Sequence, residues 1–306
     1  MSAPHNHIDR EEKLALLRQL IESEDLFQDN QATFQAYLAD PDPEVRSLAI
    51  RGLWDYPDPA LIDTFIDIIE HDPDQSVRNR AISALGRYVY EGEMADYDFD
   101  WGAMEDIMRE GELPEASYRQ VLAFLLDIAR DPAADLDARR FSIEALGFSS
   151  EPAIARLIEQ AYHDPHLDMK VSALFAMGRS GLERWDPYIL AELDSPEPRL
   201  QLEAVRAAGE LFLDEAAPAL IHLAQTATDP TLRHEAIWAL AHTTSLEAWQ
   251  LLDDIANDPT EDKETRELAE AALDEFEMFQ GMDEAGYEED EFDLDMDDGG
   301  NGYFVE

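Results

Sequence analysis

The chain has 306 residues, 70 of them acidic and 22 basic, which leaves a formal net charge of −48 at pH 7. A field of that sign repels nucleic acid and anionic membranes, so neither is expected as a partner. There is no cysteine, which excludes disulfides, thiolate metal sites and cysteine nucleophiles.

The opening residues, "MSAPHNHIDREEKLALL", are charged and carry no apolar core of a secretory signal; residues 1–27 are expected to form an N-terminal helical cap. No apolar run approaches the length of a membrane span, "VLAFLL" at 121–126 being typical, so a cytoplasmic protein is expected. From residue 28 to 280 one motif recurs. Its copies are "VRSLAIRGL" (45–53), "VRNRAISALG" (77–86), "ARRFSIEALG" (138–147), "MKVSALFAMG" (169–178), "LQLEAVRAAG" (200–209), "LRHEAIWALA" (232–241) and "TRELAEAALD" (265–274). The second residue is basic at Arg46, Arg78, Arg139, Lys170, Arg233 and Arg266, and is Gln201 in the fifth copy. Successive steps are 32, 61, 31, 31, 32 and 33 residues, the mark of a stacked repeat.

A turn precedes each copy, as in "DPDP" at 40, "DPDQ" at 72 and "SPEP" at 195. Proline ends one helix there, and Asp or Ser caps the next. Before each turn lies a further amphipathic stretch such as "PALIDTFIDIIEH" (59–71), so each unit is predicted to be an antiparallel helix pair. Such a unit cannot bury its apolar stripe alone and must stack on its neighbours. The 61-residue step contains "YEGEMADYDFDWGAMEDIMREGELPEAS" (90–117), which lacks the motif and carries Pro114. It reads as an insertion with one short helix near 103–110, or as a degenerate eighth repeat. Residues 281–306 hold 11 acids and no base, a composition that predicts an acidic disordered tail.

This pattern resembles the HEAT repeat family, in particular the short HEAT-like repeats of the phycobilisome-lyase type. The resemblance implies an all-α fold, a right-handed α-solenoid of about seven stacked helix pairs with the second helices lining the concave side. It also implies an internal ladder between turn aspartates and second-helix bases, for which Asp72 with Arg78 and Asp229 with Arg233 are candidates. The deoxyhypusine hydroxylases resemble this pattern too and bind two irons through His-Glu pairs. Here only His234-Glu235 matches, so a di-iron site is not expected. The partial EF-hand pattern over 295–306 lacks an exiting helix, and no cofactor or metal is expected.

A helical wheel of 77–87 sets Val77, Ala81, Ala84 and Leu85 on a core side and Asn79, Ser83 and Arg87 opposite. Across the repeats, the outward columns gather Val171, Phe175 and Leu202 with Trp238, flanked by Arg179, Arg206, His234 and His242. These eight residues are either a partner-binding patch or the filling of a tightly curved groove. The function expected from this is a non-enzymatic interaction scaffold whose groove holds a protein or peptide segment. The alternative is a lyase-type enzyme subunit acting on a chromophore or modified protein group. The acidity fits either a salt-adapted solubility surface or a basic partner.

Overall fold

The structure, a computed structural model, describes residues 9–23, 29–94 and 113–285, with side chains as far as residue 278. The described residues form fifteen α-helices and no strand. Helix α1 (Arg10–Ile21) is followed by seven pairs: α2 (Gln31–Ala36) with α3 (Pro43–Gly52), α4 (Ile62–His71) with α5 (Gln75–Met94), and α6 (Glu115–Arg130) with α7 (Leu136–Leu146). The remaining pairs are α8 (Pro152–Tyr162) with α9 (Leu167–Arg179), α10 (Asp186–Glu192) with α11 (Pro198–Glu210), α12 (Ala217–Thr226) with α13 (Pro230–Leu240), and α14 (Leu246–Asn257) with α15 (Lys263–Ala285). The odd-numbered helices from α3 carry the repeated motif. The segment read as an insertion begins within α5 and ends within α6; its short helix at 103–110 lies outside the described residues, as does the tail beyond 285.

Local chemistry starts these helices where the turns occur. Asp42 caps α3 by accepting from the Glu44 and Val45 amides, with Pro43 at the first helical position. Asp229 accepts from the Leu232 amide and Pro230 follows it, so α13 starts in the same way. Asp9 and Glu12 form a reciprocal capping box on α1.

Packing follows the repeat. Each odd helix lies against its even partner and against the odd helices before and after it, from α3 through α15, while α1 covers α3. The wheel is correct in register: Leu85 is fully buried and Ser83 half-buried. The "A-x-G" of the motif has a packing cause. A Cβ on Gly147 would lie 2.7 Å from the Ala176 Cα, and one on Gly178 would lie 3.0 Å from the Ala207 Cα. The motif glycine of one repeat thus faces the motif alanine of the next, and small residues bring the second helices close together.

The ladder is built differently from the expectation. Asp72 does not pair with Arg78 through its carboxylate. Arg46 of the preceding repeat takes that carboxylate with two bonds, Nη2 to Oδ1 at 2.7 Å and Nε to Oδ2 at 2.8 Å. Arg78 instead donates to the Asp72 carbonyl at 2.7 Å. Asp229 is spent on the cap, and Arg233 pairs with Glu261 of the following turn at 2.6 and 2.9 Å. Arg233 also donates to the Ala224 carbonyl at 2.8 Å, and Gln201 donates to the Leu193 carbonyl at 2.8 Å. In four copies, at Arg46, Arg78, Gln201 and Arg233, the second motif position thus satisfies carbonyls where the first helix of the pair ends, which an amide can do as well as a guanidinium. That is why Gln201 is tolerated.

Candidate functional site

The second helices line a groove with two joined recesses. The first, of about 680 Å³, lies between α3, α5, α7 and α9 and is walled by Trp54, Arg80, Arg87, Tyr90, Phe148 and Phe175 among others. The second, of about 590 Å³, sits where α5, α9, α11 and α13 end, and Met94, Phe212, Trp238 and His242 line it. Tyr90, Phe148 and Arg179 belong to both.

The eight residues expected to form the site separate in the structure. Phe175 and Arg179 reach the first recess, and Arg179, Trp238 and His242 reach the second. Val171, Leu202, Arg206 and His234 line neither recess. Val171 and Trp238 are half-buried and pack against the core, and Leu202 is half-buried as well. Arg206 donates twice to Glu235, at 2.9 and 2.6 Å. His234 meets the Thr265 hydroxyl at 3.1 Å. His242 is buried, contacts Glu275 at 3.2 Å and packs its ring against Trp238 with centroids 4.3 Å apart. Arg179 pairs with Glu210 at 3.0 Å and lies over the Phe175 ring.

Sequence reasoning missed Trp54, Arg80, Tyr90, Met94 and Phe212. The signal was one step away. Arg80 and Tyr90 lie three residues from the outward positions Ser83 and Arg87, and Trp54 lies three from Arg51, which holds the place of Ser83 in the first copy, so a stripe one helical step wider includes them. Phe212 gave a different signal. It has φ 51°, where the equivalent place one repeat earlier is Gly181 at φ 63°. An L-residue with a side chain pays strain there, and such strain collects at functional sites.

The groove also gathers carboxylates. Burial raises the pKa of Glu144, although its carboxylate accepts from the Ser172 hydroxyl at 2.5 Å. Burial likewise raises Glu210 despite Arg179. Glu203 is pushed up by burial to about 7, because Arg206 gives its best donors to Glu235 and its nearest nitrogen stays 3.7 Å from Glu203. At the end of α5, Glu93 behaves oppositely: burial alone would raise it, but bonds from Tyr118, Ser149 and Ser150 hold it below its ordinary value. Among the described residues no cluster of three His, Asp or Glu has the geometry to hold a metal ion.

A model of HEAT repeats matches residues 30–97 and 187–274, together half of the chain. The chain belongs to the HEAT repeat family. No curated protein matches it. Among solved structures, this HEAT repeat protein is similar to human deoxyhypusine hydroxylase, with 20% identity over 88% of this chain and 96% of the other, at a TM-score of 0.37. It is also similar to the CpcE–CpcF complex of phycocyanin lyase from Nostoc, with 17% identity over 83% and 97% of the two chains and a TM-score of 0.47. Yeast importin-beta matches at 13% identity over 87% of this chain and 37% of its own, with a TM-score of 0.49. The expectation that the chain is not an enzyme is corrected by these likenesses. A hydroxylase and a lyase are among the solved structures with this HEAT-like fold, so the fold gives no ground for excluding catalysis. Among the described residues no helix is long and apolar enough to cross a membrane.

Proposed function

We propose that the groove of the second helices binds a peptide or protein segment. One observation carries this reading. Five large apolar side chains are exposed among the described residues, and three of them, Tyr90, Met94 and Phe212, converge on the second recess. Scattered exposed apolar residues mean little, but a cluster in a concavity is the usual form of a docking surface. The net charge of −48 argues against nucleic acid or an anionic membrane as the partner. The test is quantitative capture of proteins from an extract of the source cells by wild type and by the double variant Tyr90→Ser, Met94→Ser. The variant is expected to lose the captured protein while keeping its helical content; equal capture rejects the reading.

A second reading, an enzyme subunit acting on a chromophore or modified protein group, is favoured by Glu203. A carboxyl group with a pKa of about 7 beside Arg206 is suited to giving and taking protons near neutrality. Incubating extract with wild type and with Glu203→Gln, then comparing protein masses, tests it. A mass change made by wild type alone supports catalysis, and identical spectra reject it.

A further inference from the structure

The first recess differs from the rest of this acidic molecule in what its cations do. Most groove arginines are committed to carboxylates: Arg179 to Glu210, Arg206 to Glu235, Arg140 to Asp137, Arg87 to Glu91. Arg80 and Arg51 are not. Among the described residues neither has a carboxylate within salt-bridge distance. Both are exposed, yet they stand near enough for the charge of Arg51 to act on Arg80. The Nε of Arg87, in the same wall, is buried and has no hydrogen-bond partner. Among the described residues Arg80 therefore lines the recess with no carboxylate paired to it, and the charge of Arg51 reaches it from outside that lining.

The surrounding walls are aromatic. Trp54 and Phe148 stand with ring centroids 6.3 Å apart, and Tyr90 meets Phe148 edge-on at 5.7 Å. Phe141 and Phe175 complete the lining. Rings in this arrangement receive a further ring in edge-to-face or offset contact. Uncommitted guanidinium groups beside them take carboxylates.

We propose that this recess, between α3, α5, α7 and α9, is the seat of an acidic segment of a partner protein that inserts an aromatic side chain among Trp54, Tyr90 and Phe148 and sets a carboxylate on Arg80. The inference rests on the peptide-binding reading of the groove and names the chemistry of the peptide. It reverses the simplest deduction from net charge, which is a basic partner. Long-range repulsion between two acidic chains is real, but at about 0.15 M salt such fields fade within about 8 Å. Contacts inside a partly desolvated recess are screened far less. The outer surface repels acidic chains in general, while the recess accepts the one whose ring fits, which is how repulsion can serve specificity.

The experiment uses the full chain at about 0.15 M salt and fluorescence anisotropy of short labelled peptides. One probe has aspartates around two phenylalanines, a second replaces the phenylalanines by alanine, and a third replaces the aspartates by lysine. The first probe is expected to bind, and Arg80→Glu to weaken it roughly ten-fold or more, as reversal of a charge in contact does. Arg80→Gln should fall between, and Arg156→Glu, an exposed arginine on α8 outside the recess, should change nothing. Thermal melts confirm that each variant is folded. The proposal is overturned if the first probe does not bind, if Arg80→Glu leaves its affinity unchanged, or if the alanine probe binds equally well. It is also overturned if the lysine probe binds as tightly in a manner sensitive to Arg80→Glu. Failure here with continued loss of capture by the Tyr90, Met94 variant would leave the peptide-binding reading standing.

Discussion

Arg46 and Asp72 lie in consecutive repeats and close on each other through two parallel hydrogen bonds, with only 10% and 8% of their side chains exposed. The pair ties a second helix to the next turn. Removing one partner leaves a buried charge uncompensated, so Asp72→Ala is expected to cost about 3–5 kcal/mol. Asp72 also accepts from the Asp74 amide at 2.9 Å, which adds to the loss. In denaturant melts the double variant Arg46→Met, Asp72→Ala should recover a large part of that cost, since no stranded charge remains. Additive losses would count against the pair acting as a unit.

Glu203 makes stability depend on pH in the direction opposite to most surface acids. Its folded carboxyl keeps the proton up to about 7, against an ordinary value of 4.5. Its contribution is therefore complete below 4.5 and is lost as pH rises through about 7. Burial is the chief cause; of the charged groups facing it, Arg206 and Arg179 oppose the shift while Glu144 and Glu210 add to it. Glu203→Gln should be more stable than wild type above neutrality, by up to about 3 kcal/mol. The two should be equal in acid below 4.5. Melting curves across pH check both ends.

Gly147→Ala should destabilise by about 1–3 kcal/mol, because the new methyl meets the Ala176 backbone at 2.7 Å and the helices must separate. Gly86→Ala has more room, 3.1 Å to the Ala145 Cα, and should cost less. If the two cost the same, the closer approach at Gly147 does not govern the loss.

Phe212 holds a left-handed conformation at the end of α11 with its ring 5.1 Å from that of His242. Comparing Phe212→Gly with Phe212→Ala separates backbone from ring, since both lose the ring and only glycine relieves the strain. The glycine variant should be more stable than the alanine variant by about 1–2 kcal/mol. Equal melting temperatures would mean that the backbone relaxes without cost.

The helix pairs and the buried faces were legible because period, proline turns and apolar spacing are all written locally. The core side of 77–87 was correct to the residue, as Leu85 and Ser83 demonstrate. Partner choice in the ladder was not legible. Asp72 lies 6 residues from Arg78 and 26 from Arg46, and only stacking decides that the more distant Arg46 takes its carboxylate. The groove was half legible: columns located Phe175, Arg179, Trp238 and His242, but counting arginines did not disclose that Glu235 and Glu210 had already claimed Arg206 and Arg179. Which cations remain uncommitted is a property of three-dimensional pairing.

The chain of contacts between successive odd helices, from α3 to α15, makes the molecule nearly one-dimensional in its cooperativity. Each interior helix pair is clamped from two sides and each terminal pair from one. Opening should therefore proceed by unzipping from the ends, and amide hydrogens of α7, α9 and α11 should exchange last. The two recesses draw their walls largely from this slow-exchanging middle, so a bound segment would rest on the part of the array that opens least.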